Sequence, residues 1–426
     1  MPRKHLLIVA AKTGYQTRMF AQAAARLDVD VSLATDRCHM LEDPWGDQAI
    51  PVHFDALEES AAEVAAGRRF DAVAAVGDRP AVLAAMIAER AGATFHSVAA
   101  VRAATNKFTA RESFRAAGLP VPAYVRIPLA AAPPDKIHYP CVLKPLGLSA
   151  SRGVIRANNP PEFAAAFARI RNLLRQPDLA RLRDPAMDFI QVEDFLPGRE
   201  FALEGLVTGG QLQVLALFDK PDPLDGPYFE ETIYVTPSRE PESVKAAIFA
   251  AAQHGVTALG LTQGPVHAEM RVDGGQVWML EVAPRPIGGL CAKALVFEGG
   301  MPLEVVIVRH ALGEVVNGLR LEPGASGVMM IPVPKTGIFR GVGGLEQAAA
   351  MVDEVIVTAK EGQRVAPLPE GNSYLGFIFA RALSSVDSES RLRQAHAALC
   401  FDIVRSLPLA PVTRGAAGSD LAGDPH

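Results

Sequence analysis

Residues 266–289 restrict the fold of this chain more than any other segment, because the run VHAEMRVDGGQVWMLEVAPRPIGG predicts a β-hairpin. Two runs of alternating apolar residues flank residues 273–275, Asp-Gly-Gly, a composition typical of a tight turn. The hairpin brings Glu269 and Glu281 side by side on one face, where two carboxylates repel each other unless a cation lies between them. Hard oxygen ligands favour Mg²⁺, usually shared with phosphates. The alternative is a pair of solvated acids on an exposed sheet face.

Two lysines occur in settings suited to phosphate. Lys144 ends a predicted strand and precedes a loop rich in glycine and serine, GLSASRG, at residues 147–153. Such a loop can fold its backbone N–H groups over phosphate oxygens while the lysine supplies a positive charge. Lys107 begins a predicted helix, where the helix dipole and free N–H groups also favour an anion. An ordinary hairpin turn and a lone surface lysine are the alternatives.

Residues 190–205, IQVEDFLPGREFALEG, predict two strands joined by a Pro-Gly turn, with acids at Glu193, Asp194 and Glu200. An extended segment with free backbone groups can bind the edge of an adenine ring. A nearby carboxylate can accept hydrogen bonds from ribose hydroxyls. Taken alone, the segment favours an ordinary hairpin with solvated acids.

The first hundred residues alternate short apolar runs with helical segments, which predicts βαβ units and a parallel sheet. Strands are predicted at residues 6–10, 29–34 and 72–76, and helices at residues 16–27 and 80–91. Only Gly14 follows the first strand, whereas a dinucleotide fingerprint needs three glycines in register. The lobe is therefore predicted to be structural rather than to bind NAD.

The rest of the chain predicts an α+β arrangement, so the fold class is α/β followed by α+β. Residues 1–104 are predicted to form the first lobe. Residues 105–322 are predicted to form a second domain that contains most of the predicted strands. Residues 323–412 form a smaller C-terminal lobe, with a helix predicted at residues 388–406. Residues 413–426 carry little apolar bulk and predict a disordered tail.

The order of these features resembles the ATP-grasp superfamily, from about Lys107 to Gly289. A lysine at a helix start comes first, then a strand lysine with its Gly/Ser loop, a Glu-x-x-Leu-x-Gly-x-Glu hinge, two metal-type glutamates and an arginine. The resemblance implies an ATP-grasp fold, in which residues 1–104 are the Rossmann-like lobe that usually precedes it.

The resemblance also implies a role for each motif residue. ATP would be bound at its α- and β-phosphates by Lys107 and Lys144, under a loop that contains Gly147, Ser149, Ser151 and Gly153. Adenine would be framed by Glu193, Asp194, Phe195 and Leu196, and ribose would be bound by Glu200. Glu269 and Glu281 would coordinate Mg²⁺, for which Mn²⁺ can substitute. The predicted catalytic residues are Lys144 and Arg285, the latter stabilising the transferring phosphoryl group or the acyl phosphate.

One position departs from the superfamily pattern. Ala283 stands two residues after the second glutamate, where the superfamily commonly has an asparagine that offers the metal another oxygen. Water can fill that gap, so one or two bound Mg²⁺ ions are both consistent with the sequence. His267 is a candidate base for the acceptor amine, with a structural hydrogen-bonding role as the alternative. The Pro/Gly loop between Lys220 and Tyr228 either covers the acceptor site or is a plain surface loop.

Residues 324–382 resemble the C-terminal domain of bacterial L-amino-acid ligases. The resemblance lies in the runs MMIPVP, GIFRGV, VIVTAKEGQ and NSYLGFIFA, which begin at Met329, Gly337, Val355 and Asn372. It implies an ATP-dependent carboxylate–amine ligase that forms an amide or peptide bond through an acyl phosphate, with an amino acid as one substrate and ADP and phosphate as products. Glycinamide-ribotide synthetases and carboxylases share the lobe layout and are alternatives, as is a protein that binds ATP without catalysis.

Composition limits the partners. The 426 residues carry a formal net charge of −5 with scattered lysines and arginines, so no electrostatic footprint for nucleic acid is present. The four cysteines include no close pair, and the first apolar run is too short for a signal peptide or a membrane span. We therefore expect a cytoplasmic enzyme that acts on a small-molecule carboxylate and amine, without nucleic-acid or membrane partners. A homodimer is left open.

Overall fold

The computed structural model describes residues 3–11, 14–36, 48–132, 136–371 and 373–405. The predicted tail at residues 413–426 lies outside these described residues. The described residues form a four-stranded parallel sheet, a four-stranded antiparallel sheet, an eight-stranded antiparallel sheet and two smaller antiparallel sheets of two and three strands. This mixture of helices and sheets confirms the mixed fold class. Among the described helices, none is long and apolar enough to cross a membrane.

The N-terminal lobe is a four-stranded parallel sheet in the order β3-β2-β1-β4. Its elements are β1 (His5–Ala10), α1 (Tyr15–Arg26), β2 (Asp30–Thr35), β3 (Ala49–Pro51), α2 (Leu57–Ala65), β4 (Ala72–Val76), α3 (Asp78–Ala91) and α4 (Val98–Thr105). Strand β1 is apolar after its first residue, His5, as expected for a strand covered on both sheet faces. Leu6 and Ile8 pack in the core with α1, whereas Leu7 and Val9 pack in the core with α2 and α3. The helix predicted from residue 80 begins two residues earlier, at Asp78.

Helix α5 (Lys107–Ala116) leads into a smaller region that we call the lid lobe, residues 124–194. Its four antiparallel strands follow the order β5-β8-β6-β7. The elements are β5 (Tyr124–Pro128), β6 (Cys141–Pro145), β7 (Ile155–Ala157), α6 (Pro160–Leu174), α7 (Pro177–Ala180), a 3₁₀ turn (Pro185–Asp188) and β8 (Phe189–Asp194). Helix α6 buries Phe163, Phe167 and Ile170 in the core of this lobe. The Gly/Ser loop at residues 147–153 connects β6 to the edge strand β7.

Eight antiparallel strands form the large sheet, in the order β13-β12-β9-β10-β11-β16-β20-β18. The chain segment that supplies its first strands contains β9 (Arg199–Thr208), β10 (Gln211–Asp219), β11 (Ile233–Thr236), α8 (Glu242–Leu259), β12 (Gln263–Asp273), β13 (Gln276–Ala283), a 3₁₀ turn (Cys291–Ala294), β14 (Val296–Phe297), β15 (Met301–Pro302) and α9 (Leu303–Ala311). Strands β14 and β15 pair with each other as a separate two-stranded sheet. The predicted hairpin is β12–β13, with Glu269 directly opposite Glu281. Helix α8 buries Ile248 and Val256 against one face of the sheet.

The large sheet continues into the C-terminal lobe without a break. That lobe contains β16 (Ala325–Ile331), β17 (Gly337–Gly343), α10 (Leu345–Ala349), β18 (Glu354–Val357), β19 (Arg364–Val365), β20 (Gly376–Ala382), α11 (Ser385–Ala397) and β21 (Cys400–Val404). Strand β11 pairs with β16, so the sheet spans the predicted boundary at residue 322. The predicted helix at residues 388–406 is wrong in its second half, because α11 ends at Ala397 and β21 then pairs with β17. A short apolar run such as Phe401–Val404 does not distinguish a strand from a helix by its pattern alone.

Candidate active site

A cavity lies between the lid lobe, the large sheet and the N-terminal lobe, and all but two of the predicted site residues line it. The residues brought together are Lys107, Lys144, Ser149, Ser151, Glu193, Asp194, Phe195, Leu196, Glu200, Glu269, Glu281 and Arg285. Gly147 and Gly153 are absent from the lining. A Cβ atom on Gly153, which has φ +76°, would lie 2.8 Å from Cγ of Pro145, so this glycine permits close packing inside the lid lobe. The two glycines shape the loop rather than face the cavity.

Lys107 is the first residue of α5, and its side chain contacts the Gly/Ser loop. Its Nζ donates to the carbonyl oxygen of Leu148 at 2.5 Å and lies 3.7 Å from Oε2 of Glu281. The free N–H groups expected at this helix start are capped, because the side chain of Asn106 accepts from the backbone N–H groups of Phe108 and Thr109, both at 3.1 Å. The cation at this position is therefore the lysine ammonium, with the helix N–H groups already engaged.

Lys144 belongs to a buried ion triad in the lid-side wall. Its Nζ donates to Oε2 of Glu193 at 2.5 Å, and Nε of Arg111 donates to Oε1 of the same carboxylate at 2.8 Å. Burial opposes ionisation of Glu193, but the two cations outweigh it and hold the pKa of this carboxyl well below its usual range. Burial lowers the pKa of Lys144, and Glu193 opposes that shift. Arg111 was not among the predicted site residues, since it lies mid-helix in α5 without a flanking motif.

The paired glutamates of the hairpin both face the cavity. Glu269 and Glu281 are register partners, and their side chains are 21% and 25% exposed. Ala283, the position that departs from the superfamily pattern, is 1% exposed and lies opposite His267. The two carboxylates therefore supply hard oxygen donors at the point where Lys107 approaches, and Ala283 supplies none.

A third lysine, Lys220, lies at the centre of three carboxylates. Its Nζ donates to Glu200 at 2.9 Å, to Glu231 at 2.6 Å and to Glu269 at 2.9 Å, which uses all three ammonium hydrogens. Burial opposes protonation of Lys220, but the surrounding acids raise its pKa well above the usual value. Lys220 and Glu231 were missing from the predicted site residues, although the sequence had indicated the Pro/Gly loop between them.

His267 is a structural partner of the acids around it. One ring nitrogen, Nδ1, bonds to Glu204, and the other, Nε2, lies 3.3 Å from Oε1 of Glu269. Burial lowers the pKa of His267, but Glu204 and Glu269 outweigh it and raise the value to about 9. A histidine held protonated near neutral pH has no free lone pair, so the geometry disfavours His267 as the base for the acceptor amine.

The N-terminal lobe also contributes to the cavity, through Asp78 and Gln16. Nε of Arg285 donates to Oδ1 of Asp78 at 2.7 Å and Nη2 donates to Oδ2 at 3.3 Å, a bidentate pair. Gln16 donates from Nε2 to the carbonyl oxygen of Ile287 at 2.8 Å. The lobe had been predicted to be structural only. Asp78 follows the carboxyl end of β4, which is the edge of a parallel sheet where ligands commonly bind, and that position was the available signal.

Another part of the cavity wall combines small, apolar and aromatic residues. It is formed by Glu231, Tyr234, Ile287, Gly288, Gly289, Cys291, Met330 and Tyr374. Burial is the main cause that raises the pKa of both Tyr374 and Cys291. Both side chains are therefore neutral. Glu231 is therefore the residue of this wall that can carry a charge, and Arg285, two residues before Ile287, lines the same cavity.

Two family models match separate parts of the chain. Residues 137–294 match the ATP-grasp domain, and residues 329–404 match the L-amino acid ligase C-terminal domain 2. The chain is also 30% identical over 222 residues to the formate-dependent phosphoribosylglycinamide formyltransferase of Mycolicibacterium smegmatis. That alignment covers 50% of this chain and 51% of the relative, so the chain spans about half the length of the curated relative it matches.

Solved structures show the same fold over nearly the whole chain. An L-amino acid ligase from Bacillus licheniformis superposes with a TM-score of 0.80 at 24% identity, covering 95% of this chain and 99% of that one. A carboxyaminoimidazole ribonucleotide synthase from Aspergillus clavatus, complexed with ATP, superposes with a TM-score of 0.67 at 16% identity, covering 92% and 97%. At these identities the likeness to solved structures establishes the fold alone. The match of residues 137–294 to the ATP-grasp domain confirms the resemblance inferred from the order of motifs.

Proposed function

We propose that this chain, in which residues 137–294 are an ATP-grasp domain and residues 329–404 an L-amino acid ligase C-terminal domain, is an ATP-dependent ligase. It would join the carboxylate of an amino acid to an amine and release ADP and phosphate. The observation that carries the proposal is the convergence of two lysines, two facing glutamates and one arginine on a single cavity.

ATP fits the end of the cavity between the lid lobe and the β12–β13 hairpin. Val142 and Val154 of the lid lobe and Leu280 of β13 line this end and suit the faces of a purine. The backbone of residues 194–196 lies beside them and can pair with the adenine edge. Lys107 and Lys144 supply positive charge for the phosphates, below the loop that contains Ser149 and Ser151.

Mg²⁺ fits the facing carboxylates of Glu269 and Glu281. Both are hard oxygen donors beside the proposed phosphate position, and Mg²⁺ normally keeps several water ligands, so the missing oxygen at Ala283 is compatible with one ion. When bound, the ion would neutralise phosphate charge. Glu200, Glu231 and Glu269 also lie close enough to hold a cation, but the ammonium of Lys220 already occupies their centre.

The amino acid fits the end of the cavity that contains Arg285 and Glu231. A guanidinium pairs well with a carboxylate or an acyl phosphate, and Asp78 fixes the orientation of Arg285. Glu231 offers the opposite charge in the same space, which suits an ammonium group. We therefore assign the substrate's amino group to Glu231 and its carboxylate to Arg285.

The reaction would proceed in two displacements. A carboxylate oxygen of the donor attacks the γ-phosphorus of ATP as the bond to ADP breaks, giving an acyl phosphate. The amine nitrogen of the acceptor then attacks the carbonyl carbon and loses a proton, and inorganic phosphate leaves with the electron pair of the C–O bond. Lys107, Lys144 and Arg285 stabilise the negative charge on the transferring group, so no protein nucleophile is required.

Phosphate release from ATP, measured across pairs of amino acids, tests the proposal. Release that requires both a carboxylate and an amine, with ADP formed and an amide found by mass spectrometry, is the expected result. Appearance of AMP and pyrophosphate would refute the acyl-phosphate step. Turnover with formate as the sole carboxylate would favour chemistry like that of the formyltransferase relative, and ATP binding without turnover on any pair would exclude a ligase.

A further inference from the structure

Residues 221–231, which we call the acidic loop, connect β10 to β11 and end in two glutamates. Phe229 and Glu231 of this loop line the cavity beside the adenine segment, residues 193–196. Glu231 carries the amino-group assignment made above. The position of the acidic loop therefore decides whether the cavity can bind an amino acid.

The acidic loop is attached to the edge strand of the lid lobe. The backbone N–H of Arg156 donates to the carbonyl oxygen of Pro227 at 2.9 Å, and its Nη1 donates to that of Asp225 at 2.7 Å. Ile155 forms an antiparallel bridge with Tyr228. Gly226 permits this approach, because it has φ +96° and a Cβ atom there would lie 2.9 Å from Cβ of Arg156. One residue of the lid lobe thus holds the loop through two of its carbonyl groups, one bonded by the backbone N–H and the other by the side chain.

The same arginine contacts the adenine segment. The guanidinium carbon of Arg156 lies 4.0 Å from the ring centroid of Phe195, and the Phe195 ring stacks on Phe229 of the acidic loop at 6.5 Å. From the large sheet, Arg271 completes the assembly, since its guanidinium carbon lies 5.3 Å from the centroid of Phe195 and 5.9 Å from that of Phe229. Arg271 also donates to the carbonyl oxygens of Leu196, at 2.7 Å, and Leu224.

We propose that Arg156 is a positioning residue that couples nucleotide binding to amino-acid binding. It ties the acidic loop to both the lid lobe and Phe195, so the arrangement of lid and adenine segment that binds the nucleotide also sets Glu231 for the substrate's amino group. Coupling of this kind is reciprocal: each ligand raises the affinity for the other by the same factor. The inference rests on the proposed function, because it requires that the chain binds both ATP and an amino acid.

The test compares Arg156→Ala with the matched variant Arg175→Ala, an exposed arginine at the C-terminal end of α6 in the same lobe. The dissociation constant of a β,γ-imido ATP analogue is measured with and without the amino acid that supports the fastest phosphate release. For the wild type and Arg175→Ala we expect the amino acid to tighten analogue binding about tenfold, within the usual range of such couplings. For Arg156→Ala we expect the dissociation constants of the analogue without and with the amino acid to have a ratio near one. The amino-acid KM should rise about tenfold, and the dissociation constant of the analogue without the amino acid should change less than about threefold.

Two further variants separate positioning from a merely structural role. Arg156→Lys keeps the charge but loses the planar fork, so its coupling ratio should lie between those of the wild type and Arg156→Ala. Gly226→Ala keeps Arg156 but places a new Cβ against the Cβ of that arginine, so it should reduce the coupling ratio. This variant tests the inference independently if Arg156→Ala fails to fold. An undiminished ratio in Arg156→Ala or Gly226→Ala, or no coupling in the wild type, refutes the inference while ligation stands. Absence of phosphate release from the wild type with every amino-acid pair refutes the proposed function itself.

Discussion

The two ends of the cavity carry opposite excess charge. Among the linked ion pairs at the lid end, three cations face two acids, namely Lys107, Lys144 and Arg111 against Glu193 and Glu281. At the amino-acid end, five acids face four cations. They are Glu200, Glu204, Glu231, Glu269 and Asp78 against Lys220, Arg271, Arg285 and protonated His267. The first set suits a triphosphate and the second suits an ammonium ion or a metal cation, because an uncompensated buried charge is costly until a ligand supplies its partner.

The same residue type behaves differently at the two ends. Glu193 is held ionised by Arg111 and Lys144, which outweigh its burial and keep its pKa low. Burial raises the pKa of Glu231 to about 7, because Lys220 is shared among three acids and Glu269 opposes a further negative charge. The comparison teaches that a carboxylate in this cavity is structural where it alone pairs with its cations, as Glu193 does. A carboxylate is available to a ligand where it shares its cation with other acids, as Glu231 does.

The largest expected effect comes from Glu281→Gln, which removes an acid from the lid end and one of the two proposed Mg²⁺ ligands. Phosphate release should fall by about 10³-fold or more, because charge on the transferring group is no longer neutralised. Nucleotide binding should persist, since the excess of cations around the phosphates increases. The measurement is phosphate release together with ATP affinity, with the exposed Glu346→Gln as control. Wild-type turnover in Glu281→Gln would show that the site lies elsewhere.

Lys144→Ala lowers the cation excess at the lid end and should reduce phosphate release by about 10²-fold, with ATP binding weakened as well. The remaining Arg111 keeps Glu193 paired, so the variant should stay folded. Steady-state kinetics with varied ATP, with the exposed Lys360→Ala as control, provide the measurement. An unchanged KM for ATP would contradict the role of Lys144 at the phosphates.

Glu231→Gln tests the acid excess at the other end. Loss of one charge-assisted hydrogen bond to the substrate's amino group should raise the amino-acid KM by about 10-fold to 100-fold, with the KM for ATP nearly unchanged. Its matched control is the neighbouring Glu230→Gln, because Glu230 is not part of the cavity wall among the described residues. Equal effects of the two substitutions would mean that the amino group binds elsewhere.

The smallest expected effect is on the stability of the folded protein at low pH. Since the folded pKa of Glu193 is lower than its unfolded value of about 4.3, its contribution to stability is complete above that pH and is lost as the pH falls toward the folded pKa. Glu193→Gln should therefore lower the free energy of unfolding by about 3 kcal/mol near neutral pH, because it leaves two buried cations unpaired. The loss should become progressively smaller between about pH 4 and pH 2. Urea midpoints of the wild type and variant across this range measure the difference. A constant difference would show that Glu193 is not held ionised by its cations.

Local patterns predicted the elements of this molecule better than the contacts between them. Strand β1 is a continuous apolar run, the β12–β13 hairpin alternates apolar and polar residues, and the motif order led to the ATP-grasp fold. Arg111 and Lys220 escaped prediction because each acquires its partners from distant parts of the chain. Asp78 also pairs with a distant residue, Arg285, and its position after the carboxyl end of β4 was the one signal that the sequence offered for it. The helix predicted across β21 failed for the same reason, since pairing with β17 decides between two structures that the apolar run permits equally.

The unbroken large sheet limits how the chain can be divided. Cutting near residue 322 would remove β16, β18 and β20 and leave β11 as an open edge whose Ile233 and Val235 are almost wholly buried in the intact protein. An exposed apolar edge strand is a template for pairing with other chains. A fragment that ends there should therefore aggregate rather than fold as a smaller enzyme, and the C-terminal lobe is required for solubility as well as for the cavity wall that contains Met330 and Tyr374.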